Sequence, residues 1–211
     1  MKLATYNLNG IRARLPRLIE WLTREQPDIV CLQELKCADE SLPIADIEAE
    51  AKGLVVGSLY LPNGNPVGTE KFDYKLRWME RLCAHAREVL REERPAVLCG
   101  DWNVVPEDRD VFSVRATQHD AVMQPEARQL WRRIVNQGWT DALRALHPNE
   151  EKLYTFWDYT AGCWQRDLGF RLDHLLCSPE AADRLREAGV DKWARGEEKA
   201  SDHAPTWIEL S

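Results

Sequence analysis

The residues able to do chemistry gather where the apolar runs of this chain stop. Asp101 and Asn103 follow "AVLCG", Gln33 and Glu34 follow "DIVCL", Asn7 and Asn9 close the first run, Asp173 stands in "RLDHLLCS", and Asp202-His203 precede the last run. One such set is ordinary turn chemistry. Five, drawn from separate strands, suggest convergence on one rim of a sheet, where α/β folds place their ligand sites. Carboxylates and amides without thiolates make a hard-oxygen environment suited to Mg²⁺ or Mn²⁺ rather than to structural zinc.

That set matches the needs of a phosphodiester. Its own charge repels nucleophiles, so hydrolysis requires a cation or donors at the phosphoryl oxygens, a base for water, and help for the leaving oxygen. Glu34 can hold a metal. Asp101 can accept a proton from water that Asn103 orients. A His203 held by Asp173 can hydrogen-bond the phosphate and stabilise developing charge. Each residue also has an ordinary structural reading: Asn7 and Asn9 as loop residues, His203 in "SDHAPT" as turn chemistry. Asp173, inside an apolar strand, needs a buried partner under either reading. Glu107, Asp108 and Asp110 are expected to fix their own loop, because carboxylates repel phosphate.

Strands and helices alternate to deliver these residues. Strands are expected at Lys2–Leu8, "DIVCLQE", "LVVGSLYLPNG", "AVLCGDWN", "RLDHLLCS" and "APTWIEL". Helices are expected from Pro16, across "LPIADIEAEAKG" to Gly53, from Lys71 to Arg91, from Glu126 to Gln137, and after Ser178-Pro179. The Lys71–Arg91 pattern, with Phe72, Leu76, Met79, Leu82, Cys83, Ala86, Val89 and Leu90 at three-and-four spacing, is the clearest amphipathic helix. The class is α/β.

The chain has 211 residues, 44% of them hydrophobic and 30% charged, with no shift in composition along its length. One domain with a real core is expected. The net charge of −7 weighs weakly against nucleic acid, but a bound metal can supply positive charge at a phosphate. Arg12, Arg14, Lys36, Arg109, Arg166 and Arg171 lie near the polar clusters and are each expected on a solvated surface. Most of the nine tryptophans are expected in the core or in groove walls. Six cysteines without CxxC spacing, an N-terminus interrupted by polar residues and no long apolar run point to a cytoplasmic protein with reduced thiols.

"PDIVCLQELK", "LYLPNG", "GDWNVVPEDRD", "LYTFWDY", "GFRLDHLLCS" and "EKASDHAP" occur in an order that resembles the exonuclease III family of abasic-site endonucleases, within the endonuclease/exonuclease/phosphatase superfamily. The resemblance implies a four-layer α/β/β/α sandwich with the site at one end of two packed sheets. It implies Glu34 as the main Mg²⁺ ligand, with Asp202 close by and Asn9 where some members carry a second acid. Asp101 would activate water, Asn103 would position it, and His203, paired with Asp173, would contact the scissile phosphate. Tyr60 would assist at the phosphate or leaving group, and Asn7 would hydrogen-bond within the cluster. Asn63, in the Tyr60 loop, would bind substrate, and Phe156, Phe170 and Leu172 would line an apolar pocket for a base-less sugar. The implied partner is double-stranded DNA with abasic sites or blocked 3′ ends.

The chain departs from the family between Glu34 and Tyr60, where about fifty residues are missing near positions 53–54 by element count. One sheet is therefore expected to lack interior strands. A monomer is expected, or a dimer if an exposed sheet edge pairs with another chain. The competing functions are a DNA-binding remnant without catalysis and a phosphoesterase of another branch of the superfamily.

Overall fold

The computed structural model describes residues 1–36 and 53–211. One sheet joins β2 (Ile29–Gln33), β1 (Lys2–Asn7), β8 (Thr206–Leu210) and β7 (Leu185–Val190) in that spatial order. The other joins β3 (Val55–Tyr60), β4 (Ala96–Asp101), β6 (Asp173–Cys177) and β5 (Thr140–Asp141). The β1–β2 and β3–β4 pairs are parallel, and the rest are antiparallel.

The sheets pack face to face. Leu3 and Ile208 from one meet Val97, Cys99, Leu175 and Cys177 from the other. Alternation along β4 then turns Ala96 and Leu98 outward, against Met79, Cys83 and Ala86 of α2 (Glu70–Arg91) and Leu130, Trp131 and Ile134 of α4 (Pro125–Val135). The first sheet turns Ala4 and Tyr6 outward against Leu18 and Trp21 of α1 (Ile11–Glu25). Two sheets with helices on both outer faces make the expected α/β/β/α sandwich. β4 is buried along its whole length, which is why it reads as a continuous apolar run.

Several details differ from the sequence expectation. Helix α1 starts at Ile11, not Pro16, and Pro16 lies exposed inside it. The bond that its missing N–H forgoes would have gone to Arg12, in the first turn. Strands β5 and β7 went unrecognised because β5 has two residues and β7, an edge strand, carries charged Arg186 and Glu187. Arg171 is fully buried rather than solvated. The helix expected across "LPIADIEAEAKG" lies outside the described residues up to position 52. Among the described residues the shortening falls at sheet ends, not in an interior: β2 and β3, which flank it, are each the last strand of a continuous sheet. The five described cysteines are free thiols. No helix among the described residues is long and apolar enough to cross a membrane.

Strand register decides what meets at the rim. Tyr60 pairs with Asp101 across β3–β4, and Asp101 pairs with Asp173 across β4–β6. In the other sheet Asn7 pairs with Gln33. The parallel strands end and antiparallel β6 begins at the same level, so polar residues from both sheets share one end of the sandwich.

Candidate active site

The site is a cavity of about 310 Å³ whose walls include Glu34, Tyr60, Asn63, Asp101, Asn103, Phe156, Phe170, Leu172, Asp202 and His203. Three polar residues sit where the chain leaves a strand in the left-handed conformation: Asn9 at φ 48°, Glu34 at φ 51° and Asn103 at φ 46°. Asparagine tolerates that region and glutamate does so less readily, so Glu34 carries local backbone strain.

Asp101 and Asn103 form a closed unit. The Asn103 backbone N–H donates to Asp101 Oδ1 at 2.9 Å, and its side-chain amide donates to Leu61 O at 2.9 Å and Asp101 Oδ2 at 3.2 Å. Asn63 donates to Asn103 Oδ1 at 3.0 Å, which fixes which end of the Asn103 amide faces which way. Asn7, fully buried, joins the two sheets by donating to Asp101 Oδ2 and to Glu34 Oε1, both at 3.0 Å. The Asn7 backbone carbonyl accepts from the Ser201 hydroxyl at 2.6 Å, so the loop before His203 is tied to β1.

His203 lies between two carboxylates. Its Nδ1 is 2.8 Å from Asp173 Oδ2, and its Nε2 is 3.7 Å from Asp101 Oδ2. Asp173 therefore has the buried partner it needed. Burial alone would lower the imidazole's pKa, but Asp173, Asp101 and Asp202 outweigh it and raise it to about 10. Burial raises the Asp101 carboxyl to about 7, with the His203 charge and the Asn103 and Asn7 hydrogen bonds opposing and Asp173 adding. Burial and the Glu34 charge push the Tyr60 phenol above its usual range.

The hard-oxygen set lies beside this cluster. Burial opposes ionisation of Glu34, but hydrogen bonds from Lys36, Asn7 and Tyr60 and the Lys36 charge together lower its pKa. Asn9 donates to both Asp202 oxygens, at 3.1 and 3.2 Å. The Lys36 ammonium binds Glu34 Oε2 at 2.7 Å and Asn9 Oδ1 at 2.5 Å. A cationic nitrogen thus already bridges two of the oxygens expected to hold a metal, so these donors fit a hard cation. No three His, Cys, Asp or Glu side chains among the described residues form a metal centre by themselves. Two carboxylates and an amide suit an ion such as Mg²⁺, which keeps much of its water.

The apolar wall follows from chain pairing. Phe156 bridges both Phe170 and His203 through its backbone, and Phe170 also bridges Val111. Phe156 stacks at a tilt on His203 with centroids 4.9 Å apart, and Phe170 lies 5.9 Å from Phe156. Leu172 is buried among Val105, Val111 and Val122. Trp157 is fully buried in the core, its indole N–H bound to Asp167. Every expected site residue is thus in or against this cavity. Asn65, Asp120 and Asp158 also line it and were not foreseen. Asn65 donates to Asp120 at 3.0 Å, a contact between loops with no signal at any strand end.

The loop after Asn103 behaves as expected. Asp110 is fully buried and takes two hydrogen bonds from Arg171, at 2.9 Å each, and one from Arg144 at 2.7 Å. Asp108 pairs with Arg128, and Glu107 with Arg109. These acids hold structure together rather than facing the cavity.

Fold and site together define a hydrolytic phosphoesterase built at the end of a two-sheet sandwich. The chain belongs to the endonuclease/exonuclease/phosphatase family, whose sequence profile matches residues 4–203, and is an enzyme of its exodeoxyribonuclease III and AP endonuclease type. It is 26% identical over 251 aligned residues to the exodeoxyribonuclease of Bacillus subtilis (strain 168), covering 97% of each chain. The alignment is longer than the 211 residues present here, in keeping with an internal segment missing from this chain. An AP endonuclease structure from Archaeoglobus fulgidus superposes with a TM-score of 0.93 at 32% identity, covering 100% of this chain and 99% of that one. The 3′ phosphatase NExo from Neisseria, bound to a product DNA hairpin, gives a TM-score of 0.93 at 29% identity, with 100% and 99% covered.

Proposed function

We propose that this protein is a divalent-metal-dependent DNA repair nuclease that hydrolyses the phosphodiester 5′ to abasic sites in double-stranded DNA and also trims or unblocks 3′ ends. The observation that carries the reading is the juxtaposition, in one cavity, of the Asp101–Asn103 and Asp173–His203 pairs with the apolar wall of Phe156, Phe170 and Leu172. A small apolar wall accepts an extruded sugar that lacks its base and leaves little room for a full nucleotide. The relatives named exodeoxyribonuclease and AP endonuclease, and the 3′ phosphatase with its DNA hairpin, support the same substrate class.

In this reading Glu34 and Asp202, with the Asn9 amide, would hold Mg²⁺, and Mn²⁺ would substitute. The bound ion supplies Lewis-acid stabilisation of the phosphoryl oxygens. Asp101 takes the proton from the attacking water, and its pKa near neutrality suits a base working near neutral pH. Asn103 orients that water or a phosphoryl oxygen. His203, kept as imidazolium by Asp173, donates to the phosphate as charge develops. Tyr60, exposed at the rim and held neutral, donates a hydrogen bond near the phosphate or the leaving oxygen. Asn63 contacts the substrate from the Tyr60 loop. A single domain, working as a monomer in the cytoplasm, belongs to the same reading.

The test is incision of a duplex oligonucleotide bearing one abasic-site analogue, with Mg²⁺ or with EDTA, alongside His203→Ala. Incision 5′ to the site that needs Mg²⁺ and falls by about 10²-fold or more in the variant is expected. A folded wild-type protein that leaves the duplex intact overturns the proposal in favour of a DNA-binding remnant or another phosphoester.

A further inference from the structure

Helix α2 sends one charged side chain inward. Lys75, on the face formed by Phe72, Met79 and Leu82, has no exposed surface. Its Nζ donates to the backbone carbonyl of Asn63 at 2.9 Å and to that of Asn103 at 2.6 Å. The path is cut to fit the side chain: at Gly64, φ +89°, an added Cβ would come within 2.7 Å of Lys75 Cδ. Burying an amine is unfavourable unless its donors are used, and Met or Leu would fill the same space without that penalty. Packing is therefore no reason for lysine here.

The two carbonyls belong to the two loops whose side chains meet over the site. Asn63 donates to Asn103 Oδ1, and the Asn103 amide donates to Asp101. Asn103 itself is in the left-handed conformation, which the surrounding structure must hold. We propose that Lys75 is a positioning residue, clamping the Asn63 and Asn103 loops from behind so that both amides stay aligned on Asp101 and the reacting phosphate. This rests on the function proposed above. It touches no substrate and acts through Asn103 and Asn63. Burial lowers its pKa to about 7, against the opposing charges of Asp101 and Asp120, and protonated or neutral the amine can serve two acceptors.

The test is a double-mutant cycle of Lys75→Met and Asn103→Ala, with single-turnover kinetics on abasic-site duplex in Mg²⁺, well below the melting temperature of every variant. Lys75→Met is expected to lower the cleavage rate by about 10- to 100-fold, as a loop shift of about 1 Å would, with DNA affinity changed less than about threefold. In the Asn103→Ala background the same substitution should slow cleavage by less than about twofold. Multiplying losses, or a single variant as fast as wild type, overturns the clamp. Lys75→Gln, too short to span both carbonyls, carries the comparison if Lys75→Met does not fold. Side-chain amide NMR gives a readout free of turnover: the Asn63 and Asn103 resonances should move in Lys75→Met while those of distant amides stay. Unmoved resonances sink the clamp whether or not the wild type cleaves, and a wild type that does not cleave sinks only the proposed function.

Discussion

Asp173 shows how much one buried oxygen can be asked to do. Its Oδ2 holds His203 Nδ1, while its buried Oδ1 has no hydrogen-bond partner among the described residues. Both side chains are buried, so the carboxylate acts on the imidazole it orients rather than on solvent. Asp173→Asn keeps the shape and removes the charge. Its kcat on abasic duplex is expected to fall by about 10²- to 10⁴-fold, the range for a misheld acid or base, with little change in KM. A kcat within about threefold of wild type would mean that Asp173 only fills space. At this scale the sequence was informative, because polar residues at the ends of apolar runs have few ordinary reasons to be five. Asn65, Asp120 and Lys75 were illegible for the same reason: they lie on loops or on a helix face where their residue types are common.

At the scale of elements, the strands place the site and a buried ion network holds the strands. Arg171 binds Asp110, Asp141 and His174 just before β6 begins, joining three separate stretches of chain. Arginine can only donate, so His174 Nδ1 accepts from Arg171 Nη1 and its Nε2–H donates to Val104 O at 3.0 Å. Burial first, and then the Arg171 charge, lowers the His174 pKa to about 4. The folded value lies below the unfolded one of about 6.5, so this stabilisation is complete above pH about 6.5 and is lost as the pH falls toward 4, on the order of 3 kcal/mol in all. Urea unfolding between pH 7 and 4 should show a steeper loss for wild type than for His174→Gln, and parallel curves would rule the residue out as the cause. Asp110, lowered by Arg171 and Arg144 despite burial, adds a loss in the same direction at lower pH. Backbone approach is a second control. At Gly100, φ +147°, an added Cβ would lie 1.9 Å from Leu59 O, so Gly100→Ala should part β3 from β4 and abolish cooperative unfolding or soluble expression.

For the whole molecule, a ligand that binds only the folded state reports on the site through global stability. With Mg²⁺ at ten times its dissociation constant the gain is about 1.4 kcal/mol, a few degrees in melting temperature for a chain of this size. Glu34→Gln should abolish that shift while leaving the metal-free melting temperature near that of wild type. A shift that survives the substitution would place the ion elsewhere. The shortening flanked by β2 and β3 leaves the rim carrying Asn7, Tyr60, Asp101 and Asp173 intact, because both strands end their sheets among the described residues.

The alternation of apolar runs, the amphipathic stripe of α2 and the polar caps on five runs are local patterns, so the α/β class and the polar residues of the candidate site could be read along the chain, while Tyr60 and the apolar wall came only with the family resemblance. Local pattern carries no register, however. Only the pairing of β3, β4 and β6 sets Tyr60, Asp101 and Asp173 side by side. The β1–β2 pairing brings Asn7 to Glu34, and only the packing of the two sheets brings the same amide within 3.0 Å of Asp101. The same holds for Arg171 and Lys75. Composition puts such side chains on the surface, and it took three-dimensional closure, with partners far apart in sequence, to make their burial affordable.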